Sequence, residues 1–451
     1  ARPENIRVYY SNAARRDDDD NYVKAELLEH GNVTYESRHN IYGNPLFVDG
    51  DYRLASGSPS INTGTEDIDG VTIPDYDADY TERVKDCGID MGAFESENEQ
   101  NYAYETAADG SLVYYVTQAG AGLRSGGSPD NAACAMKLQR ILDHAGQTAT
   151  DNPDAAVVVR IAGYAGDDAF TYRANTLSNP NDPQSYTYVV PEGITVEGGW
   201  DENFTDNGRN PKERPTVLSA EYEGSATQQA VTGYHAVLFR ADGVTAGSAT
   251  DGTAALTRPT VIDGLTLTGG SATSMAGAGD SRTRGGGAIV PAGAHVRNCI
   301  VDSCTAEQGG GLYVMAGATV SGTVVYRNTA EQGAGIYADN EGADADSRAH
   351  LISCTVTDNT ATTAGGGLYL EDGALMALNS VVWGNTAPSD KNVSGVVTQT
   401  FEDKLWQTVF AASRLTAFYP LILLRGDLPN ALHFENTAMM RAMRTTYFAT
   451  Q

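Results

Sequence analysis

The chain has 451 residues with 30 Lys+Arg against 58 Asp+Glu, a formal charge of −28 at neutral pH. That balance repels nucleic acid and anionic membrane surfaces and excludes DNA, RNA and acidic lipid as ordinary partners. The 49 glycines follow no three-residue period, so the composition is not collagen-like, and the length predicts about two or three units of domain size.

Five cysteines, Cys87, Cys134, Cys299, Cys304 and Cys354, are sparse and odd in number. With no Cys-x-x-Cys pair, they indicate neither a disulfide scaffold nor a zinc site. No run of about 20 apolar residues occurs, so no membrane span is expected. The chain starts at Ala1 without a signal-peptide pattern, as expected of a mature or excised piece.

In chain order, the first 100 residues carry three acidic stretches, "RRDDDD" from Arg15, "EDIDG" from Glu66 and "DYDADY" from Asp75. Calcium is the one metal they admit. They lack the fixed ligand and glycine spacing of an EF-hand, and solvated loops explain them as well. No other cofactor is implied. A polar stretch follows, "NYAYETAADGSLV", residues 101–113. Beyond it stand "YYVTQAGAG" from Tyr114, "AMKLQRILDHA" from Ala135, "VPEGITVEGGW" ending at Trp200 and "RPTVLSA" from Arg214.

The next stretch is periodic. GGGAI begins at Gly285, GGGLY at Gly309, GAGIY at Gly333 and GGGLY at Gly365, steps of 24, 24 and 32, the last holding the insert "NEGADADSR". A second track runs in parallel: "CIVDSCTA" ends at Ala306, "TVVYRNTA" at Ala330, "CTVTDNTA" at Ala361 and "SVVWGNTA" at Ala387, with "LTLTGGSA" at Ala272 as a less regular copy. A repeat this short cannot bury its own apolar side and must stack on its neighbours. β-Branched residues without a 3.6-residue period favour strands, one coil per repeat, and therefore a parallel β-helix.

Alternation sorts the faces. Leu312 and Val314, Ile336 and Ala338, Leu368 and Leu370 point inward, which places Tyr313, Tyr337 and Tyr369 in an exposed aromatic column. In the second track Val301, Val325, Val356 and Val382 form one inward column, and Cys299, Thr323, Cys354 and Ser380 another. Cys299 and Cys354 are two rungs apart, roughly 9.6 Å, too far for a disulfide. The corner column Cys304, Asn328, Asn359, Asn385 predicts an asparagine ladder of hydrogen bonds along the axis, at a turn where left-handed geometry suits Asn. After residue 395 the Gly and Asn-Thr corners stop.

The Gly tracts followed by "NTA" corners resemble the repeats of chlamydial polymorphic outer-membrane proteins and of the right-handed parallel β-helix surface proteins of gut Bacteroidetes. "NPLFVDGDYRLASGSPSINTG" from Asn44 and "CGIDMGAFE" from Cys87 resemble the closing segment of such helices, a choice-of-anchor region. The stretches from Tyr114 to Ala220 resemble their opening segment, in which a short helix and a first strand cap the solenoid. The resemblance implies an all-β, right-handed parallel β-helix of pectate-lyase-like architecture, with an N-terminal piece of a second β-helix. Residues 1–100 are then the last coils and closing segment of a first helix and 101–113 a linker. Residues 114–260 open a second helix and 261–395 are its regular coils. The tail, 396–451, departs from the pattern and is expected to cap the open end or to dock on another subunit, giving self-association.

Three functions follow from these residues. One is a secreted or cell-surface, non-enzymatic protein, adhesin-like or glycan-binding, whose partner is a glycan or a surface protein. Its sugar-stacking platform is the Tyr313, Tyr337, Tyr369 column together with Tyr326 and Trp383, since aromatic faces suit apolar sugar faces. Against it stands a purely structural role, with the tyrosines bracing a sheet face or lying beneath the Gly-rich loop 269–287. The second is a polysaccharide lyase or hydrolase. His295, Arg297 and Asp302 lie close in sequence, but no paired carboxylates recur at coil spacing to hold a metal, so no catalytic set is assigned. The third is a structural subunit assembling end to end. "RGD" at Arg425 and the triplets starting at Asn32, Asn203 and Asn392 are weak motifs by themselves.

Overall fold

The computed structural model describes residues 101–395, apart from 167–168, 206, 223–229, 249, 274–280, 341–347 and 372–374. Before residue 101 it describes 5–9, 11, 14–16, 22–24, 34–38 and most of 41–96, and beyond 395 the strand Leu415–Ala417. The chain divides into two compact units, Ala1–Tyr172 with Gly193–Thr216, and Arg173–Glu192 with Val217–Gln451.

In the first unit Leu112–Thr117 pairs in parallel with Val157–Ala162, which pairs in parallel with Ile194–Trp200. Glu105–Thr106 adds an antiparallel edge. The helix Leu138–Asp151 buries Leu138, Ile141, Leu142, Ala145 and Ala149, an i, i+3, i+4, i+7 stripe. It runs past Ala145 because Thr148 and Ala149 extend that stripe, and Tyr114 Oη lies 2.7 Å from Thr148 Oγ1. Cys134 is disulfide-bonded, although the sparse cysteines indicated no disulfide scaffold. Cys299, Cys304 and Cys354 are free and buried. Burial pushes the Cys299 and Cys304 thiols up to about 12, so both stay protonated and unreactive in the fold.

The second unit is all-β, parallel and solenoid-like. Sheet 1 stacks Tyr188–Pro191, Val237–Arg240, Ala288–Val290, Leu312–Met315, Ile336–Asp339, Leu368–Leu370 and Val393–Gly395. Sheet 2 stacks Thr260–Asp263, Ala294–Arg297, Thr319–Ser321, Ala349–Ile352, Leu375–Leu378 and Leu415–Ala417. Sheet 3 holds Leu265–Thr268, Ile300–Asp302, Val324–Tyr326, Thr355–Thr357 and Val381–Trp383. Sheet 4 holds Ser271–Ala272, Thr305–Gln308, Thr329–Gln332 and Thr360–Ala364. One coil visits the four sheets in turn, and Leu312 pairs with Ile336, one 24-residue repeat later.

Each coil between residues 288 and 364 thus makes four strands where the two sequence tracts suggested fewer, because bends too tight to show as loops divide the tracts. Asn298, Ser353 and Asn379 turn the chain from sheet 2 to sheet 3 with φ of 51–55°. Ser303, Arg327 and Asp358 turn it from sheet 3 to sheet 4 with φ of 54–55°. A single left-handed residue reverses direction without spending a loop. The left-handed residue is therefore the one before each ladder asparagine, not the asparagine itself as the sequence suggested.

Inside, Leu312, Ile336, Leu368, Val301, Val325, Val356 and Val382 are buried in register, each worth roughly 1.5–3 kcal/mol of burial. One interior group departs from this economy. Tyr188 is fully buried and its hydroxyl makes no hydrogen bond among the described residues. Tyr188→Phe is expected to raise the stability of this unit by about 1 kcal/mol, because the desolvation cost of that hydroxyl disappears. A lower urea midpoint for the variant would show that the hydroxyl has a partner after all.

Candidate functional site

Tyr313, Tyr337 and Tyr369 do stack, with ring centroids 5.1 Å apart at each step and interplanar angles of 8° and 12°. They are not an exposed column. Tyr313 and Tyr337 are each 1% exposed and Tyr369 is partly buried, in a cluster continued by Leu238 and Ile289. Parity puts them on the outer face of sheet 1, and other segments cover that face. The Arg284 guanidinium lies 4.7 Å from the Tyr313 ring centroid and Gly252 packs on Leu238. Tyr313 Oη donates to Asp339 Oδ2 at 2.6 Å, and Tyr337 Oη donates to Glu371. Burial and these carboxylates push both phenols far above their ordinary range. The column is a second core between sheet and loops, closed to a sugar.

Tyr326 and Trp383 occupy a different surface. On sheet 3 the outward columns run Thr266, Ile300, Val324, Thr355, Val381 and Thr268, Asp302, Tyr326, Thr357, Trp383. Trp383 is 36% exposed, Val324 is exposed and Tyr326 is half-buried. The two rings stand two rungs apart, roughly 9.6 Å along the axis, with Thr357 between them. Arg327 lies 4.5 Å over the Tyr326 ring and reaches Asp302 at 2.5 Å, so the charges on this face cancel locally.

The asparagine ladder is continuous. Asn328 Nδ2 donates to Asn359 Oδ1 at 3.0 Å, Asn359 Nδ2 to Asn385 Oδ1 at 2.9 Å, and Asn385 Nδ2 to Asn392 Oδ1 at 3.2 Å. Asn392, part of a glycosylation-type triplet, is therefore a buried end of the ladder. The column Cys299, Thr323, Cys354, Ser380 makes a second polar ladder that the sequence did not show. Thr323 Oγ1 donates to Ser321 O at 2.9 Å and Ser380 Oγ to Leu378 O at 3.0 Å, while Cys354 N donates to Ser380 Oγ at 3.1 Å.

The residues that raised an enzymatic option do not converge. His295 sits on sheet 2 with Nε2 at 2.8 Å from Ser321 Oγ, and burial, then Arg297, lowers its pKa. Arg297 is spent on Asp263 at 2.7 and 2.9 Å, and Asp302 lies on sheet 3 with Arg327. In the first unit Asp77 accepts N–H bonds from Asp79, Thr81 and Glu95, which makes it a loop organiser. Burial pushes Glu95 up to about 7 against the pull of Arg83 at 3.1 Å. Among the described residues no group of three or more His, Cys, Asp or Glu could hold a metal ion. "EDIDG", Asp17–Asp20, Asn32, the RGD triplet and nearly all of 396–451 lie outside the described residues; Leu415–Ala417 pairs in parallel with Leu375–Ala377. Among the described residues no helix is long and apolar enough to cross a membrane.

No protein-family model, curated protein or solved structure matches this chain.

Proposed function

We propose that the chain is a secreted or surface-displayed, non-enzymatic right-handed parallel β-helix that holds an extended neutral glycan along the outer face of sheet 3. The observation that carries this reading is the in-register column Tyr326, Thr357, Trp383, which presents aromatic rings and a hydroxyl at intervals along the axis. Sugar rings offer apolar faces to aromatics and hydroxyls to threonines, so an extended chain lying along the axis meets both. A neutral polymer is favoured because a net charge of −28 opposes an acidic one. The Cys134 disulfide fits an oxidising compartment outside the cytoplasm. The repeats' likeness to bacterial surface β-helices points the same way.

The intact chain is expected to be retained by at least one insoluble neutral polysaccharide. Trp383→Ala should weaken that retention about tenfold, which is about 1.4 kcal/mol, and Tyr313→Phe should not change it. Equal retention of wild type and the Tyr326→Ala, Trp383→Ala double variant would remove sheet 3 as the site.

A further inference from the structure

The first coils of the second unit depart from the regular repeat, and the departures enclose a cavity of about 400 Å³ on the outer side of sheet 1. Its walls come from residues 178–185, from 247, 248 and 251 and from Ser281 and Arg282, and its floor from His235 and Leu238. Each wall is held in place by its own polar contacts. Asp251 is 5% exposed in its side chain and binds Arg240 through two contacts of 2.8 Å while accepting the Gly247 N–H at 2.7 Å. Ser185 Oγ accepts the Asn179 N–H at 3.1 Å. His235 Nδ1 lies 2.8 Å from Gly285 O, which places the proton on Nδ1 because a carbonyl only accepts.

The charges in and around the cavity balance, Asp251 with Arg240 and Asp182 with Arg282, so neither a free cation nor an anion is drawn in. Asp182 is held less tightly than Asp251. Its carboxylate meets Arg282 Nη1 at 3.5 Å and Tyr234 Oη at 3.4 Å, and accepts the Gln184 N–H at 3.1 Å, with its side chain 15% exposed. A carboxylate has about four lone-pair positions, so acceptor capacity remains for hydroxyls of a ligand. Around it stand the Asn179 amide and the Ser178, Ser248 and Ser281 hydroxyls, which donate and accept, beside the apolar surfaces of Tyr234 and Leu238. The volume lies at the small end of the range for small-molecule sites.

We propose that this cavity binds a single neutral sugar residue, Asp182 accepting from its vicinal hydroxyls and Asn179 and Ser248 completing the polar contacts. The inference rests on the glycan reading for ligand class alone; the site is distinct from sheet 3 and stands or falls separately. The sugar is either a free monosaccharide or the end of a chain, since both present vicinal hydroxyls.

Saturation-transfer NMR on the intact chain tests it, using glucose, galactose, mannose and N-acetylglucosamine with the methyl glycoside of each. At least one sugar is expected to receive saturation. Asp182→Asn, which keeps the Oδ1 acceptor, should weaken that sugar about tenfold, and Ser248→Trp, a rim substitution that plugs the cavity, should abolish the signal with the circular dichroism spectrum unchanged. Equal binding of the methyl glycoside identifies a chain end, and preference for the reducing sugar identifies the free form; either supports the site. Trp383→Ala should leave this signal intact even if it ends polysaccharide retention, and a failure of retention alone would leave the cavity standing. Absence of transfer from all eight probes, or transfer that survives Ser248→Trp, overturns the proposal.

Discussion

Gly335→Ala is expected to destabilise the second unit by roughly 3 kcal/mol or more, the high end for forcing a methyl group into a packed site. A Cβ built on Gly335 would lie 2.5 Å from Gly367 O in the next coil, 2.6 Å from Val356 Cγ1 and 2.9 Å from Asn359 Nδ2. Backbone oxygen cannot swing away as a flexible side chain can. The same position in the coil before repeats the geometry, with Gly311 facing Gly335 O and Val325 Cγ1 at 2.6 and 2.7 Å. The third glycine of each tract is thus required by the closeness of two coils and a valine, not by its dihedral angles, since its φ is not positive. Gly333, two residues earlier, has a φ of 61° and is required for the opposite reason. The middle position accepts Ala334 in the one coil whose sheet 4 strand meets Thr360–Ala364 across a register shift. Gly243 provides the comparison, with a φ of 75° and nothing within 4 Å of a built Cβ. Gly243→Ala should cost only about 1–2 kcal/mol. Thermal melts of the two variants measure the difference, and a Gly335→Ala melt matching that of Gly243→Ala would show that the coils relax apart cheaply.

Asn359→Ala should cost about 3 kcal/mol by leaving buried groups without partners. Asn359 is 0% exposed. Its Oδ1 accepts both the backbone N–H and the Nδ2–H of Asn328, each at 3.0 Å. Its Nδ2 donates to Val325 O, Thr357 O and Asn385 Oδ1, each at 2.9 Å. Truncation orphans the Asn328 N–H outright and removes the donor from two carbonyls. Asn359→Asp distinguishes this from a packing loss. It keeps the shape but turns a carboxylate toward three acceptor oxygens, which raises its folded-state pKa above the unfolded value of about 3.9. The folded state then binds more protons between those two pKa values, so the variant loses stability as pH rises through that window. Its deficit against wild type should therefore shrink as pH falls through that window and be smallest below about pH 4 in urea titrations. A deficit independent of pH would mean that the Asp side chain leaves the ladder.

The inner columns and the asparagine ladder are legible in the repeat alone. Val301, Val325, Val356 and Val382 recur at one parity, and a buried polar residue recurring at a corner has its own copies as its nearest partners. Period alone does not show that Cys299, Thr323, Cys354 and Ser380 form a second polar ladder, because small mixed residues pass for packing until their carbonyl partners are known. Nor does it show that the left-handed bends fall on Asn298, Arg327 or Asp358, whose identities vary from coil to coil.

The burial of Tyr313 and Tyr337, where alternation implied exposure, has a simple physical origin. Alternation fixes on which side of a strand a residue stands, and both tyrosines stand outside sheet 1 as parity requires. Whether outside means solvent depends on segments such as those carrying Arg284 and Gly252, which belong to no repeat and reach this face only through the fold. The cavity walls at Asn179, Asp182, Ser248 and Arg282 come together the same way, from places 103 residues apart in sequence (282 − 179). The coil, its interior and its axial hydrogen bonds can therefore be read from the repeat, because each is a contact between a residue and its own copy. What covers the coil and where a ligand finds room emerge only when the chain folds, because those contacts join residues with no common period.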